Sequence, residues 1–109
     1  MAQKFVITPD RFLMGNVELH KDLLSRSGHD KIVLGGGRFS IDIENKILYL
    51  WGASVDYGYA EPEKIKKAIS SLETWISPRL VSFKVMHSPM IQSSLPELDT
   101  FTELTIIEE

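Results

Sequence analysis

The chain has 109 residues, close to the commonest length of a single domain and enough to bury one hydrophobic core. Its apolar fraction of 43% and charged fraction of 25% are typical of a folded globular protein. The formal charge of −3, without a run of Lys or Arg, excludes a general attraction to nucleic acid. We therefore expect one domain over residues 1–109, no nucleic-acid partner, and local groups around any bound anion.

The chain contains no cysteine, which excludes disulfides, thiolate chemistry and zinc–thiolate sites and suits a reducing compartment. The first residues lead into a strand-like run without the apolar core of a signal peptide. No stretch approaches the roughly 18 apolar residues that a membrane-spanning helix needs. These features predict a cytoplasmic protein without a membrane partner.

The N-terminal quarter combines a strand and a helix. Phe5–Thr8 is rich in β formers and stops at Pro9, whereas Arg11–Met14 fits either a further strand or the approach to a helix. Asn16 is a candidate N-cap, and a helix is predicted over Val17–Ser25.

A β-hairpin is predicted over Leu34–Trp51. The first strand alternates apolar and polar side chains, and its apolar positions are Phe39, Ile41 and Ile43. Glu44-Asn45 forms a short polar break before the second strand, which begins at Ile47.

The register of this hairpin follows from its turn. With the turn centred on the polar break, facing residues have numbers that sum to about 89. Arg38 is then predicted to lie opposite Trp51, and Gly35 opposite Ser54. The glycines and the Ser54 loop should be neighbours at the open end of the hairpin.

The remainder of the chain alternates loops with regular elements. The pattern predicts, in order, a loop over Ser54–Ala60, a helix over Pro62–Leu72, a strand over Val81–Val85, a loop over Pro89–Pro96 and a last strand over Thr102–Ile107. Strands and helices in this mixture indicate the α+β class.

A triple glycine directly precedes Arg38 and comprises Gly35, Gly36 and Gly37. Loop N–H groups can point at one anion, a serine hydroxyl adds a donor, and arginine offers a forked, permanently charged donor set. This corner therefore suits a phosphoryl group, with the glycines forming a loop. The alternative is a bulge or bend within a strand, with Arg38 a solvated strand residue. The glycines open no helix and no Gly-Lys-Ser/Thr follows, so the segment is not a nucleotide-hydrolase phosphate loop.

Three histidines occur, at positions 20, 29 and 87. His29 and His87 lie beside polar loop residues, where surface or structural roles are expected. Taken alone, His20 would be an exposed helical histidine, although neutral imidazole is well suited to activating water or attacking phosphorus near pH 7. Their spacing makes a metal site improbable.

The segment LGGGRFSIDIENKILYLWGASVDYGYA, residues 34–60, resembles the Janus/Ocnus family. The shared pattern is Leu-Gly-Gly-Gly-Arg-x-Ser, a short hairpin with a Lys, and an aromatic-Gly-x-Ser-x-x-Tyr-Gly-x-Ala. The resemblance extends over roughly Lys4–Leu72 and includes Glu18-Leu19-His20 at the head of the first helix. It implies a mixed sheet of about five to six strands with two helices, and phosphohistidine phosphatase activity without metal or cofactor.

The resemblance also implies site roles. His20 would be the catalytic histidine, and the phosphoryl group would be held by Arg38, Ser54, Val55, Lys21 and Lys4. Lys21 and Val55 depart from the family's small residue and methionine, but both can donate through their backbone N–H groups.

The expected partner is a phosphorylated protein or a small phosphoramidate. The alternative is a non-catalytic, regulatory protein of the same fold that binds phosphate or a phosphopeptide. An extension from about Trp75 has no counterpart in the family pattern and could add strands, cover the pocket or form a homodimer contact.

Overall fold

A computed structural model describes residues 2–9, 11–27, 32–69, 72–74 and 83–104. The elements in chain order are β1 (Ala2–Ile7), β2 (Phe12–Val17), α1 (Lys21–Ser27), β3 (Gly35–Asp42), β4 (Ile47–Trp51), β5 (Ala53–Ser54), β6 (Gly58–Tyr59), α2 (Pro62–Ile69), β7 (Leu72–Thr74), β8 (Lys84–His87), a 3₁₀ turn (Leu98–Thr100) and β9 (Thr102–Glu103).

One mixed sheet contains all of these strands. Its order is β7-β2-β1-β3-β4-β8-β9, and the short strand β6 pairs with both β3 and β5. The pairs β2–β1, β1–β3 and β3–β4 are antiparallel, whereas β2–β7, β4–β8 and β3–β6 are parallel. Among the described residues, six strands have three residues or more, so the α+β class and the mixed sheet with two α-helices are confirmed.

The first helix begins later than the sequence predicts. Val17 still belongs to β2, where it pairs with Ala2, and α1 starts only at Lys21. Asn16 is therefore a strand residue, and its prediction as an N-cap is wrong. The strand persists because pairing with β1 satisfies its backbone groups while its buried side chains enter the core. The side chain of Asp22 instead accepts the Leu19 N–H (2.9 Å) before the helix.

The β3–β4 hairpin has the predicted register, because Arg38 pairs with Trp51 and Asp42 with Ile47. Asp42 holds the turn through Oδ1, which accepts the Asn45 backbone N–H (3.1 Å), and Oδ2, which accepts Asn45 Nδ2–H (2.8 Å). These hydrogen bonds to the ionised form lower the pKa of Asp42. The left-handed residue of the turn is Lys46, at φ 54°.

The two helices pack on opposite faces of the sheet. Alternation along β1 sends Phe5 and Ile7 to one face and Val6 to the other. The first face is covered by α2 through Ile65 and Ala68, and the second by α1. We call these the α2 face and the α1 face. The α1-face core consists of Val6, Leu13, Val17, Leu23 and Leu24.

The other boundaries differ modestly from the predictions. The second helix ends at Ile69 instead of Leu72, because Leu72 begins β7 and pairs with Phe12. The last two predicted strands are partly observed as β8 and β9, and their predicted residues 81–82 and 105–107 lie outside the described part of the chain.

Candidate functional site

Three of the predicted site residues share the α1 face of the sheet. Arg38 alternates with the buried Phe39 along β3, so its side chain leaves the sheet on the face of Gly36. Gly36 pairs with Val6, a residue of the α1-face core, and Lys4 pairs directly with Arg38. Lys4 and Arg38 therefore place two cationic side chains side by side on the α1 face.

His20 lies on this same face, in the short segment between β2 and α1. A methyl group added to Gly36 would come within 3.1 Å of His20 Cδ2, so the imidazole ring covers that glycine. His20 is only 7% exposed, and its Nε2 hydrogen-bonds the Gly37 carbonyl oxygen at 2.8 Å. The sequence-based expectation for His20 alone, an exposed helical side chain, is therefore wrong.

The hydrogen bond to Gly37 defines the protonation of the His20 ring. A carbonyl oxygen can only accept, so Nε2 carries the proton and Nδ1 of the neutral ring keeps its lone pair. Burial lowers the pKa of His20, and the charges of Lys4 and Arg38 lower it further. The bond to Gly37 and the carboxylate of Asp56 act in the opposite direction without reversing the shift. The ring is thus held neutral near pH 7, with one nitrogen able to accept a proton or attack an electrophile.

The triple glycine lies within β3 and forms no loop, so the prediction of Gly35, Gly36 and Gly37 as loop residues is wrong. Close backbone approach is the physical reason for three glycines here. A Cβ on Gly36 would lie 2.6 Å from the Phe5 carbonyl oxygen, and one on Gly37 would lie 2.3 Å from that of Trp51. Any larger residue would force neighbouring strands apart.

The segment after β4 brings Ser54 beside the glycine strand. Gly52 turns the chain at φ 78°, so the β3–β4 ladder ends at Trp51 and the predicted pairing of Gly35 with Ser54 does not form. Ser54 instead pairs with Gly58, and the next residue, Tyr59, pairs with Gly36. The expected proximity of the glycines and the Ser54 loop is nevertheless present.

The loop between β5 and β6 is held by its own serine. Ser54 is buried, and its Oγ accepts the Tyr57 backbone N–H at 3.2 Å, which leaves the hydroxyl proton to donate elsewhere. Tyr57 packs against the α1-face core, so the loop is anchored on the face of His20. Val55 at the tip is fully exposed, which suits a role through its backbone only.

The two predicted lysines occupy different positions. The ammonium group of Lys4 donates to the Glu18 carbonyl oxygen, which ties β1 to the segment that carries His20. Lys21 is exposed and is the first residue of α1, directly after His20. Lys4 is thus held beside Arg38 and close to His20, whereas Lys21 lies on the surface next to His20.

Sequence reasoning missed Asp56 as a contributor to this region. Asp56 influences His20 electrostatically, and its only sequence signal was a carboxylate next to the predicted Ser54–Val55 donors. Of the two roles expected for His87, the structure shows the structural one, because His87 is buried and its Nε2 lies 3.4 Å from the Tyr59 hydroxyl. His29 lies outside the described residues.

The His, Asp and Glu side chains of the described residues form no group of three that could hold a metal ion. Within the same part of the chain, no helix is long and apolar enough to cross a bilayer. No model of a known protein family matches this chain, and a search of curated proteins also finds no match. The likeness to the Janus/Ocnus family therefore stays a prediction from the motif residues.

Proposed function

We propose that this protein is a phosphohistidine phosphatase-like hydrolase that cleaves the P–N bond of a phosphoramidate. The observation that carries the proposal is the neutral, oriented ring of His20 on the same sheet face as the two cationic side chains Lys4 and Arg38. A free imidazole nitrogen can act as a base or nucleophile, and adjacent cationic side chains can stabilise the charge on phosphoryl oxygens.

The proposed chemistry divides between the cations and the imidazole. Arg38 and Lys4 bind the phosphoryl oxygens, joined by the hydroxyl of Ser54 and the backbone N–H groups of Val55 and Lys21. These donors offset the negative charge that would otherwise repel an attacking lone pair. The overall charge of −3 makes such local donors necessary.

Two routes use the free Nδ1 of His20. In one, Nδ1 takes a proton from a water whose oxygen attacks phosphorus, and returns that proton to the departing nitrogen. In the other, Nδ1 bonds to phosphorus, solvent protonates the departing nitrogen, and water then hydrolyses the phosphorylated histidine. In both routes the P–N electron pair leaves with the substrate nitrogen.

The test compares wild type with His20→Ala and His20→Gln on phosphoramidate and on a phosphohistidine peptide. Gln places an amide N–H near the position of Nε2, where it can donate to the Gly37 carbonyl, but it has no basic nitrogen, so it separates chemistry from folding. We expect both variants to lose about 10²–10⁴ in kcat. Normal turnover in a folded His20→Gln protein would rule out this mechanism.

Arg38→Ala is expected to lower kcat/KM about 10²–10³-fold, with Ser40→Ala as its control. Ser40 points to the same face two residues along β3. Thermal stabilisation by phosphate that disappears in Arg38→Ala, without turnover in wild type, would instead support the regulatory binding protein of the alternative prediction.

A further inference from the structure

We infer that the segment Pro89–Pro96 forms a recognition wall, which selects substrates whose phosphorylated residue is flanked by apolar side chains in a polypeptide. This inference rests on the proposed function and names the substrate more closely. It concerns the part of the chain that has no counterpart in the family pattern.

The wall lies against the strand end that presents Arg38. The Gly52 N–H donates to the Met90 carbonyl oxygen at 2.9 Å. A methyl group placed on Gly52 would be 3.2 Å from the Gln92 carbonyl oxygen and 4.0 Å from Arg38 Cγ. The wall and the Arg38 side chain therefore border the same small space in front of Gly52.

Hydrogen bonds hold the start of this segment at Met90, and aromatic packing holds the chain that follows the segment. Ser88 Oγ accepts the Met90 N–H at 3.3 Å and lies 2.9 Å from Thr100 Oγ1. The following residue, Phe101, packs edge-on against Trp51, the strand partner of Arg38, with ring centroids 6.4 Å apart. A fixed surface beside the site loses little conformational entropy when a substrate binds to it.

The chemistry of the wall differs from that of the pocket. The eight residues Pro89–Pro96 carry no charge, and Ile91 is 67% exposed although it lies between two residues that abut Gly52. Met90 and Leu95 are also exposed. Such a surface does not bind a phosphoryl group, whereas it fits the uncharged, apolar neighbours of a phosphorylated residue held at Arg38 and Lys4.

The experiment uses three substrates and two variants of the full chain. The substrates are phosphoramidate and two phosphohistidine peptides of equal length and charge, with Leu or Ser on both sides of the phosphohistidine. The variants are Ile91→Ser and its matched control Ile43→Ser. Ile43 is also exposed, at 61%, but lies in the turn at the other end of the β3–β4 hairpin.

We expect wild type to prefer the Leu peptide by about tenfold in kcat/KM, and Ile91→Ser to abolish that preference. Turnover of phosphoramidate should be unchanged in Ile91→Ser, and Ile43→Ser should behave as wild type throughout.

The other outcomes overturn either the recognition wall or the proposed function. Equal use of both peptides by wild type, or an unchanged preference in Ile91→Ser, rejects the wall and leaves the proposed function intact if phosphoramidate is hydrolysed. A loss of phosphoramidate turnover in Ile91→Ser, or the same loss of preference in Ile43→Ser, also rejects a recognition role. No turnover of any substrate by wild type rejects the proposed function, and this inference with it.

Discussion

At the scale of single residues, Gly36 shows how backbone and chemistry depend on each other. Its missing Cβ allows β1 to approach and leaves space for the His20 ring on the α1 face. The neighbouring Gly37 carbonyl then fixes the tautomer of that ring. The triple glycine, which was predicted to form an anion-binding loop, thus allows the His20 ring to pack against strand β3.

Gly36→Ala is therefore expected to cost about 3 kcal/mol of unfolding free energy, because the new methyl group would lie 2.6 Å from the Phe5 carbonyl oxygen. Urea denaturation measures this cost. Gly58→Ala is the control, since Gly58 has open space around it but φ 79°, and should cost only about 1 kcal/mol. Equal stability of wild type and Gly36→Ala would contradict the packing described for this strand.

At the scale of elements, the β5–β6 loop reaches the site only because strand β4 of the hairpin ends at Trp51. Gly52 diverts the chain with its positive φ, and the two-residue strands β5 and β6 then return it to pair with β3. Tyr57 packs on the α1-face core and Ser54 bonds within the turn. The loop is therefore held at its two ends, Ser54 and Tyr57, while Val55 at its tip is exposed.

Ser54→Ala removes the acceptor of the Tyr57 N–H and should loosen this loop without unfolding the sheet. We expect a loss of about 1 kcal/mol in unfolding free energy and faster hydrogen exchange of the Tyr57 amide. NMR-detected exchange provides the measurement, and Ser93→Ala, an exposed serine outside the turn, provides the control. Unchanged exchange at Tyr57 would show that the hydroxyl does not hold the loop.

At the scale of the whole molecule, two buried histidines lie on opposite sides of the sheet. Burial lowers the pKa of His20 on the α1 face and of His87, whose strand neighbour Leu50 lies in the α2-face core. In the unfolded chain both histidines become protonated below the ordinary histidine pKa of 6.5, whereas in the folded protein they remain neutral to lower pH.

The stability of the protein should consequently depend on pH in a defined direction. Below 6.5 the unfolded chain binds more protons than the folded one, so the unfolding free energy falls with decreasing pH until the lowered pKa values are reached. Above 6.5 the contribution of both histidines is complete. Denaturant unfolding from about pH 7.5 to about pH 5 tests this, and His87→Gln should flatten the dependence. An identical slope in His87→Gln would exclude His87 as a source.

Local features of this fold were open to prediction from the sequence. The alternation from Phe39 to Ile43 and the short polar break predict the β3–β4 hairpin and the pairing of Arg38 with Trp51. These relations join residues near in the chain through one tight turn, so turn geometry alone specifies them. The start of α1 could not be predicted in this way, because pairing of β2 with β1 overrides the helical pattern after Asn16.

The sequence by itself determined the α+β class, the hairpin register and the residue types suited to a phosphoryl group. Only the tertiary structure decided that His20 meets the glycine strand, since its hydrogen bond to Gly37 spans 17 positions and requires β1 to lie between β2 and β3. The same sheet order places the three glycines in strand β3, where a loop was predicted, and pairs Lys4 with Arg38. Such contacts depend on which strands become neighbours, and this is determined by burial of the two sheet faces as a whole.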